Sequence, residues 1–347
     1  MRPLGWRTGP CTFALARVSC ATLVRTDDSA EAGWSVAVIE VDGLKKSYGD
    51  FEAVKGVTFS VEEGELLAVL GPNGAGKTTT IEILEGYRTR DDGVVRVLGV
   101  DPAGAGPEFR QRIGIVLQDT GIDAYLTVSE LLRMHASYYD HPRSVGEVIE
   151  LVGLSEKAGS RAKQLSGGQQ RRLDVALGLI GDPELLFLDE PTTGFDPTAR
   201  RQAWDVVKNL GALGKTVLLT THYMDEAQAL ADRVIVIAGG HIVAEGTPES
   251  IGGRADADAV IRFRLPEGAS LADVAEAAAA AGRGSATMPT TDEHGFVAIS
   301  TPTPTDILHR LTGGALQGGR ELAELSVSRP SLEDIYLELT GHQEAAE

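Results

Sequence analysis

The sequence predicts an α/β fold, built as one large α/β domain followed by a small α+β domain. Three observations predict it. Short apolar strand patterns alternate with helical patterns from about Val38 onward. A glycine-rich octapeptide, residues 71–78, stands between a strand pattern and a helix pattern. After Gly252-Gly253 the texture changes, with an alanine-rich helix pattern flanked by strand patterns.

Composition bounds the answer. A chain of 347 residues is long enough for two domains. With 42% hydrophobic and 24% charged residues it is an ordinary globular chain, which argues against wholesale disorder. The formal net charge of -18 disfavours nucleic acid and broad adhesion to anionic lipid as partners. The only cysteines are Cys11 and Cys20, which exclude a disulfide framework and fit a reducing compartment. No stretch approaches the roughly 20 apolar residues that span a bilayer. Any membrane path must therefore come from another chain.

Residues 1–37 are expected to be a disordered N-terminal extension. The first 26 residues hold Arg2, Arg7, Arg17 and Arg25 and no acid. The apolar run Phe13–Val24 is broken by Arg17, where a signal peptide would be uninterrupted. The first strand pattern begins at Val38-Ile39-Glu40-Val41, so a mis-assigned start is the alternative expectation.

The elements then follow in order. Val57–Val61 alternates as a half-buried strand does, and Glu65–Leu70 reads as a buried strand ending at glycine. A helix runs from Thr78 to about Glu85. Val94–Leu98 and Ile113–Leu117 are strands, the first after the turn signal Asp91-Asp92-Gly93. Residues 119–163 read as mainly helical, with a capping-box pattern at Thr127 and Glu130 and a second helical run at Val145–Val152. Leu185–Leu188 and Thr216–Thr220 are strands, and Arg233–Ala244 is a hairpin around Gly239-Gly240. In the small domain, 255–341, Val260–Leu265, Phe296–Ser300 and Glu324–Val327 are strands. Leu271–Ala281, Asp306–Leu311 and Leu332–Leu339 are helices, the last with Ser331 as N-cap.

The octapeptide Gly71-Pro72-Asn73-Gly74-Ala75-Gly76-Lys77-Thr78 matches the phosphate-binding P-loop, in the strand-to-helix context that the motif requires. Backbone N–H groups wrap an anion only where no Cβ obstructs them, and the helix start adds its positive dipole end. Lys77 can reach the β- and γ-phosphates, the Thr78 hydroxyl can ligate Mg²⁺, and Thr79 follows at the same helix start. Asp189-Glu190 ends the apolar strand Leu185–Leu188, at the strand end where open α/β sheets bind ligands. Asp189 fits a Mg²⁺-side carboxylate, and Glu190 a base that polarises the attacking water.

Leu165-Ser166-Gly167-Gly168-Gln169 resembles the signature motif of ABC-type ATPases, and it lies between the P-loop and the acidic strand as in that family. The resemblance covers about residues 38–250 and implies a P-loop NTPase fold for the domain 38–252, with a helical subdomain at about 119–163. It implies ATP and Mg²⁺ as cofactors and ATP hydrolysis as the activity. Gln118 is similar to the Q-loop glutamine near the metal or the water, and His222 to the switch histidine on the γ-phosphate. Asp196 is similar to the D-loop aspartate, and Tyr48 to the aromatic that stacks on adenine. Phe195 departs from the usual leucine. The family works as a head-to-tail pair, with one nucleotide between the P-loop of one chain and the signature motif of the other. Its partner is a membrane-domain permease, which implies a peripheral place at the cytoplasmic face of the membrane. The segment Pro330–Gly341 resembles the C-terminal end of drug- and antibiotic-exporter subunits of the daunorubicin-resistance type, with an amphipathic packing helix as the alternative. An importer subunit and a non-transport ABC ATPase are the rival expectations. A single cassette without heptads, in an acidic chain, disfavours the second.

Overall fold

The computed structural model describes residues 37–117, 121–254, 257–266, 268–279, 287–292 and 294–337. The N-terminal extension up to residue 36, both cysteines and Gln118 lie outside the described residues.

Strands β1 (Ala37–Tyr48) and β2 (Phe51–Glu62) form a long antiparallel hairpin. Strand β3 (Leu66–Leu70) is buried at every position, as its sequence Leu-Leu-Ala-Val-Leu requires. It feeds the P-loop and then helix α1 (Lys77–Leu84). Strand β4 (Asp92–Val97) returns to pair with β1, closing a three-stranded antiparallel sheet in the order β2-β1-β4. Helix α2 (Pro107–Arg112) leads into β5 (Ile113–Val116). Three helices follow: α3 (Val128–Ala136), α4 (Val145–Leu151) and α5 (Gly167–Leu179). The capping box expected at Thr127 and Glu130 opens α3. The chain continues through β6 (Leu185–Asp189), α6 (Pro197–Ala212), β7 (Thr216–Thr221) and α7 (Met224–Leu230). The hairpin β8 (Arg233–Ala238) and β9 (His241–Gly246) turns at Gly239-Gly240. Its tail part comprises β10 (Ala259–Arg264), α8 (Leu271–Ala279), β11 (Thr290–Thr291), β12 (Phe296–Thr301), α9 (Pro304–Gln317) and β13 (Ser326–Ser328).

The central sheet has the order β5-β6-β7-β3-β8-β9. Its first five strands are parallel and β9 is antiparallel. A parallel sheet must be covered on both faces, and alternation along β6 shows how. Leu185 and Phe187 face the core shared with the antiparallel sheet, with Ile39, Leu67 and Ile235. Leu186 and Leu188 face the core shared with the helices, with Leu131, Leu173 and Val217. Because the strands are parallel, the residues that follow β3, β6 and β7 emerge at one edge. The register fixes this: Leu70 lies beside Thr221, and Asp189 beside Thr220.

The second antiparallel sheet has the order β11-β12-β10-β13 and packs Ile261, Phe263, Val297 and Ile299 against Val274 of α8 and Ile307 and Leu311 of α9. Its β-α-β-β-α-β course is that of a ferredoxin-like sandwich. Strand β13 begins at Ser326 rather than at Glu324, because Glu324 takes a left-handed φ of 55° that extended backbone cannot accommodate. Residues 332–337 then form a helical turn opened by Ser331, whose hydroxyl accepts from Asp334 N at 3.1 Å. Leu332 is buried against Ala68, Val234 and Ile251, on the nucleotide-edge sheet rather than on the tail sheet. Truncating Leu332 to alanine should therefore cost about 2–5 kcal/mol, read as a lower urea midpoint for the whole chain.

Candidate functional site

The P-loop is shaped by close backbone approach. A Cβ on Gly71 would meet the Ile237 carbonyl oxygen at 2.2 Å, and one on Gly76 would meet that of Ala53 at 2.4 Å. Gly76 also holds a φ of 101°, which side chains rarely adopt. The loop can curl only with glycine at these two places. Lys77 is buried, and its ammonium donates to Gly71 O at 2.7 Å and Pro72 O at 3.0 Å. Burial lowers its pKa, while Glu190 and Asp189 oppose that shift. Thr78 is exposed at the helix start, so its hydroxyl is available to a ligand.

Two acids and a histidine stand on the adjacent strand ends. The Thr220 hydroxyl donates to Asp189 Oδ1 and also accepts from Glu190 N at 3.1 Å. Glu190 has a φ of 43°, a left-handed conformation costly for a residue with a side chain. Its carboxylate accepts from the Thr193 hydroxyl at 3.1 Å and lies 3.4 Å from His222 Nδ1. The His222 ring stacks on Tyr223 at 4.0 Å, and the Arg200 guanidinium covers the other ring at 4.0 Å. Glu190 and His222, far apart in sequence, are thus direct neighbours.

A cavity of about 390 Å³ gathers Tyr48, Asn73, Gly74, Lys77, Thr78 and Glu190. Tyr48 is partly exposed, with Arg88 at 5.2 Å and Lys46 at 5.8 Å from its ring centroid. A second cavity of about 380 Å³ is lined by Ser166, Gly167, Gly168, Gln169 and Asp196. Here Ser166 and Gln169 form the capping box of α5, and Asp196 caps α6 through Thr198 N at 2.8 Å and Ala199 N at 2.9 Å. Leu165 is buried beneath them. The fold therefore brings the P-loop, the acids and His222 together, and it brings the signature segment to Asp196 in a separate cavity.

Sequence reasoning missed Arg171. It is buried in α5, five residues beyond Ser166, and it binds backbone on three sides. Its guanidinium donates to Leu117 O at the end of β5, to Asp189 O at 2.8 Å and to Pro191 O at 3.0 Å, and it pairs with Asp174 at 3.5 Å. One side chain thus holds the acidic strand end against the helical region. An arginine in a polar helix start gives no sign of this, because its acceptors are carbonyls far off in sequence. Glu226 was missed as well; it is fully buried in α7 and accepts from Trp204 Nε1 at 3.1 Å. Arg171→Met should cost about 3–5 kcal/mol in chemical denaturation, because it breaks a buried ion pair.

Comparison with known proteins gives the family. Residues 54–193 match the ABC transporter family. The Nod factor export ATP-binding protein I of Burkholderia orbicola is 39% identical over 315 residues, 89% of this chain and 99% of that protein. The chain belongs to the ABC transporter ATP-binding family. The daunorubicin/doxorubicin resistance ATP-binding protein DrrA of Streptomyces peucetius is 39% identical over 319 residues, 88% of this chain and 92% of that protein. An ABC transporter cassette solved in its ADP conformation superposes with a TM-score of 0.56 at 26% identity, covering 62% of this chain and 93% of its own. A dimeric cassette in a post-hydrolysis state with ADP and Pi superposes with a TM-score of 0.54 at 26% identity, over 60% of this chain and 98% of its own. This ABC ATPase subunit therefore has the P-loop NTPase fold expected of it, and its activity is ATP hydrolysis. No helix among its described residues is long and apolar enough to cross a membrane.

Proposed function

We propose that this subunit energises the export of a drug, antibiotic or other hydrophobic compound through a separate membrane-domain protein. The relatives named for Nod factor export and for daunorubicin resistance support this direction, because the likeness runs through the tail domain as well as the cassette. An importer is the second reading, disfavoured by that same tail.

The observation that carries the mechanism is the separation of the two cavities. Each is half of a nucleotide site, and a head-to-tail second copy completes both. In this reading Tyr48 stacks on adenine, and Gly71, Pro72, Asn73, Gly74, Ala75, Gly76, Lys77, Thr78 and Thr79 hold the phosphates. Leu165, Ser166, Gly167, Gly168 and Gln169 of the second copy close over the γ-phosphate, with Asp196 at the seam. Glu190 takes a proton from the attacking water, and His222, 3.4 Å from it, holds that carboxylate toward the γ-phosphate. Among the described residues no cluster of three His, Cys, Asp or Glu groups could hold a metal alone. Mg²⁺ takes one or two protein oxygens and otherwise phosphate and water. Thr78 and Asp189 are the hard oxygen donors at hand, with Gln118 as a third ligand. The ion would supply charge neutralisation at the β- and γ-oxygens.

The large domain, 38–252, does this chemistry, and the small domain, 255–341, is the exporter-type appendage. The subunit sits at the cytoplasmic face of the membrane and touches lipid only through its partner. The partner's seat is a groove of about 490 Å³ walled by Tyr87, Ile115, Leu117, Leu131, Met134 and Tyr139. It opens between the P-loop helix end and the α3–α5 helices, so a change at the phosphates reaches it through rigid elements. Inside-out vesicles holding the complex test the direction. ATP added outside should drive daunorubicin into the lumen, whereas ATP-driven loss of preloaded compound would mark an importer.

A further inference from the structure

The groove contains three acids that the chemistry above does not use, Glu85, Asp123 and Asp174. Glu85 directly follows α1, lines the groove and is only 6% exposed. Among the described residues no hydrogen bond or ion pair reaches its carboxyl. The molecule treats its other buried acids differently: Asp174 faces Arg171 at 3.5 Å, and Glu226 accepts the Trp204 indole N–H at 3.1 Å. Burial first, then the charges of Asp189 and Glu82, push the Glu85 carboxyl from the ordinary 4.5 up to about 8. Arg88 gives no relief, because Glu82 already engages it at 2.5 Å. A raised acid of this kind means that the folded state holds the proton more tightly than the unfolded chain. Its contribution to stability is full below pH 4.5 and is lost as pH climbs toward about 8. The isolated subunit therefore keeps a carboxyl that folding alone would discard.

The surroundings indicate what completes it. The remaining ionisable side chains of the groove include Asp123, Asp174, Arg110 and His135. Asp174 is already paired with Arg171 at 3.5 Å and His135 Nδ1 is engaged with Leu131 O at 3.0 Å, which leaves Glu85 and Asp123 facing Arg110. The walls between them are apolar, which suits an amphipathic helix. We propose that Glu85 is the anchor for a lysine or arginine carried on the docking helix of the membrane partner, and that it thereby selects which partner this subunit accepts. The inference rests on reading the groove as the partner's seat. A cation arriving there meets a largely buried acid and forms a charge-assisted hydrogen bond, worth about tenfold to a hundredfold in affinity.

The test uses the full chain in its native membrane. The photoreactive residue p-benzoylphenylalanine replaces Met134 on the groove wall, and the cross-linked peptide is sequenced. The expected capture is a cytoplasmic loop of a multispanning protein that contains a lysine or arginine. A synthetic peptide of that loop is then titrated against three forms of the subunit. Glu85→Gln should bind it at least tenfold more weakly than the wild type. Glu85→Lys should lose binding, and a peptide with its basic residue replaced by glutamate should restore it. Partner-free ATP turnover of Glu85→Gln should match the wild type, and at pH 8.5 it should melt no lower. Equal peptide affinity for wild type and Glu85→Gln, or a captured loop without a basic residue, overturns the anchor and leaves the groove reading standing. A lower melting temperature for Glu85→Gln would show that the acid already has a structural partner, which also overturns it. Capture of no membrane-protein loop would overturn the groove reading and the anchor together.

Discussion

Lys77→Ala is expected to abolish ATP turnover, lowering phosphate release by about 10²–10³-fold or more, the usual loss when one preorganised charge stabiliser is removed. The lysine is buried beside Gly71 and Pro72, with Asp189 and Glu190 close enough to sustain its charge. Its ammonium now rests on two loop carbonyls, and a γ-phosphate would draw it off them with little loss, since one set of acceptors replaces another. The alanine variant should also bind a fluorescent ATP analogue more weakly. Normal turnover in a malachite-green phosphate assay would refute the phosphate assignment outright.

Glu190→Gln is expected to bind ATP while hydrolysing it about 10²–10⁴-fold more slowly, the range for loss of a general base. The amide keeps the shape of the side chain and its contact with the Thr193 hydroxyl. It cannot accept a proton from water. Because the signature segment and the P-loop occupy separate cavities, an unhydrolysed nucleotide should hold two copies together. Size-exclusion chromatography with ATP and Mg²⁺ should show a stable dimer. A variant that stays monomeric under those conditions would contradict the paired-site reading, even if its hydrolysis were lost. The backbone at this position adds a second expectation. With φ at 43°, Glu190→Gly should relieve strain and raise the melting temperature while removing turnover.

Much of the candidate site was legible in the sequence. Glycines at 71 and 76 announce a tight loop, and the structure shows the obstruction: carbonyls of Ile237 and Ala53 would collide with any Cβ there. Ser166 and Gln169 announce a helix start and form the capping box of α5. The runs Glu65–Leu70 and Leu185–Leu188 announce buried strands, and both lie inside the central sheet. Such signals are legible because they are local: a strand period, a cap or a forbidden Cβ depends on a few consecutive residues.

Other features were not legible, for the opposite reason. The long hairpin of Ala37–Tyr48 and Phe51–Glu62 carries too many charged positions to read as strand along its full length, and pairing with its neighbours sustains it. Arg171 looks like one more polar helix residue until three distant carbonyls converge on it. Glu85 looks like an exposed helix-end acid until α1 carries it under the helices. The helix after Ser331 reads as part of a tail domain, yet Leu332 packs on the central sheet.

The amino-acid sequence by itself determined the α/β class of this protein, and it marked the residues proposed to cradle phosphate and the carboxylates proposed to serve metal and water. Only the tertiary structure decided who stands beside whom. Parallel pairing of β3, β6 and β7 sets Gly71, Glu190 and His222 at one edge, and the same packing leaves Ser166 in a different cavity. The physical reason is range. Propensity and steric exclusion act over a few residues, whereas burial, desolvation and strand register depend on atoms brought together from far along the chain.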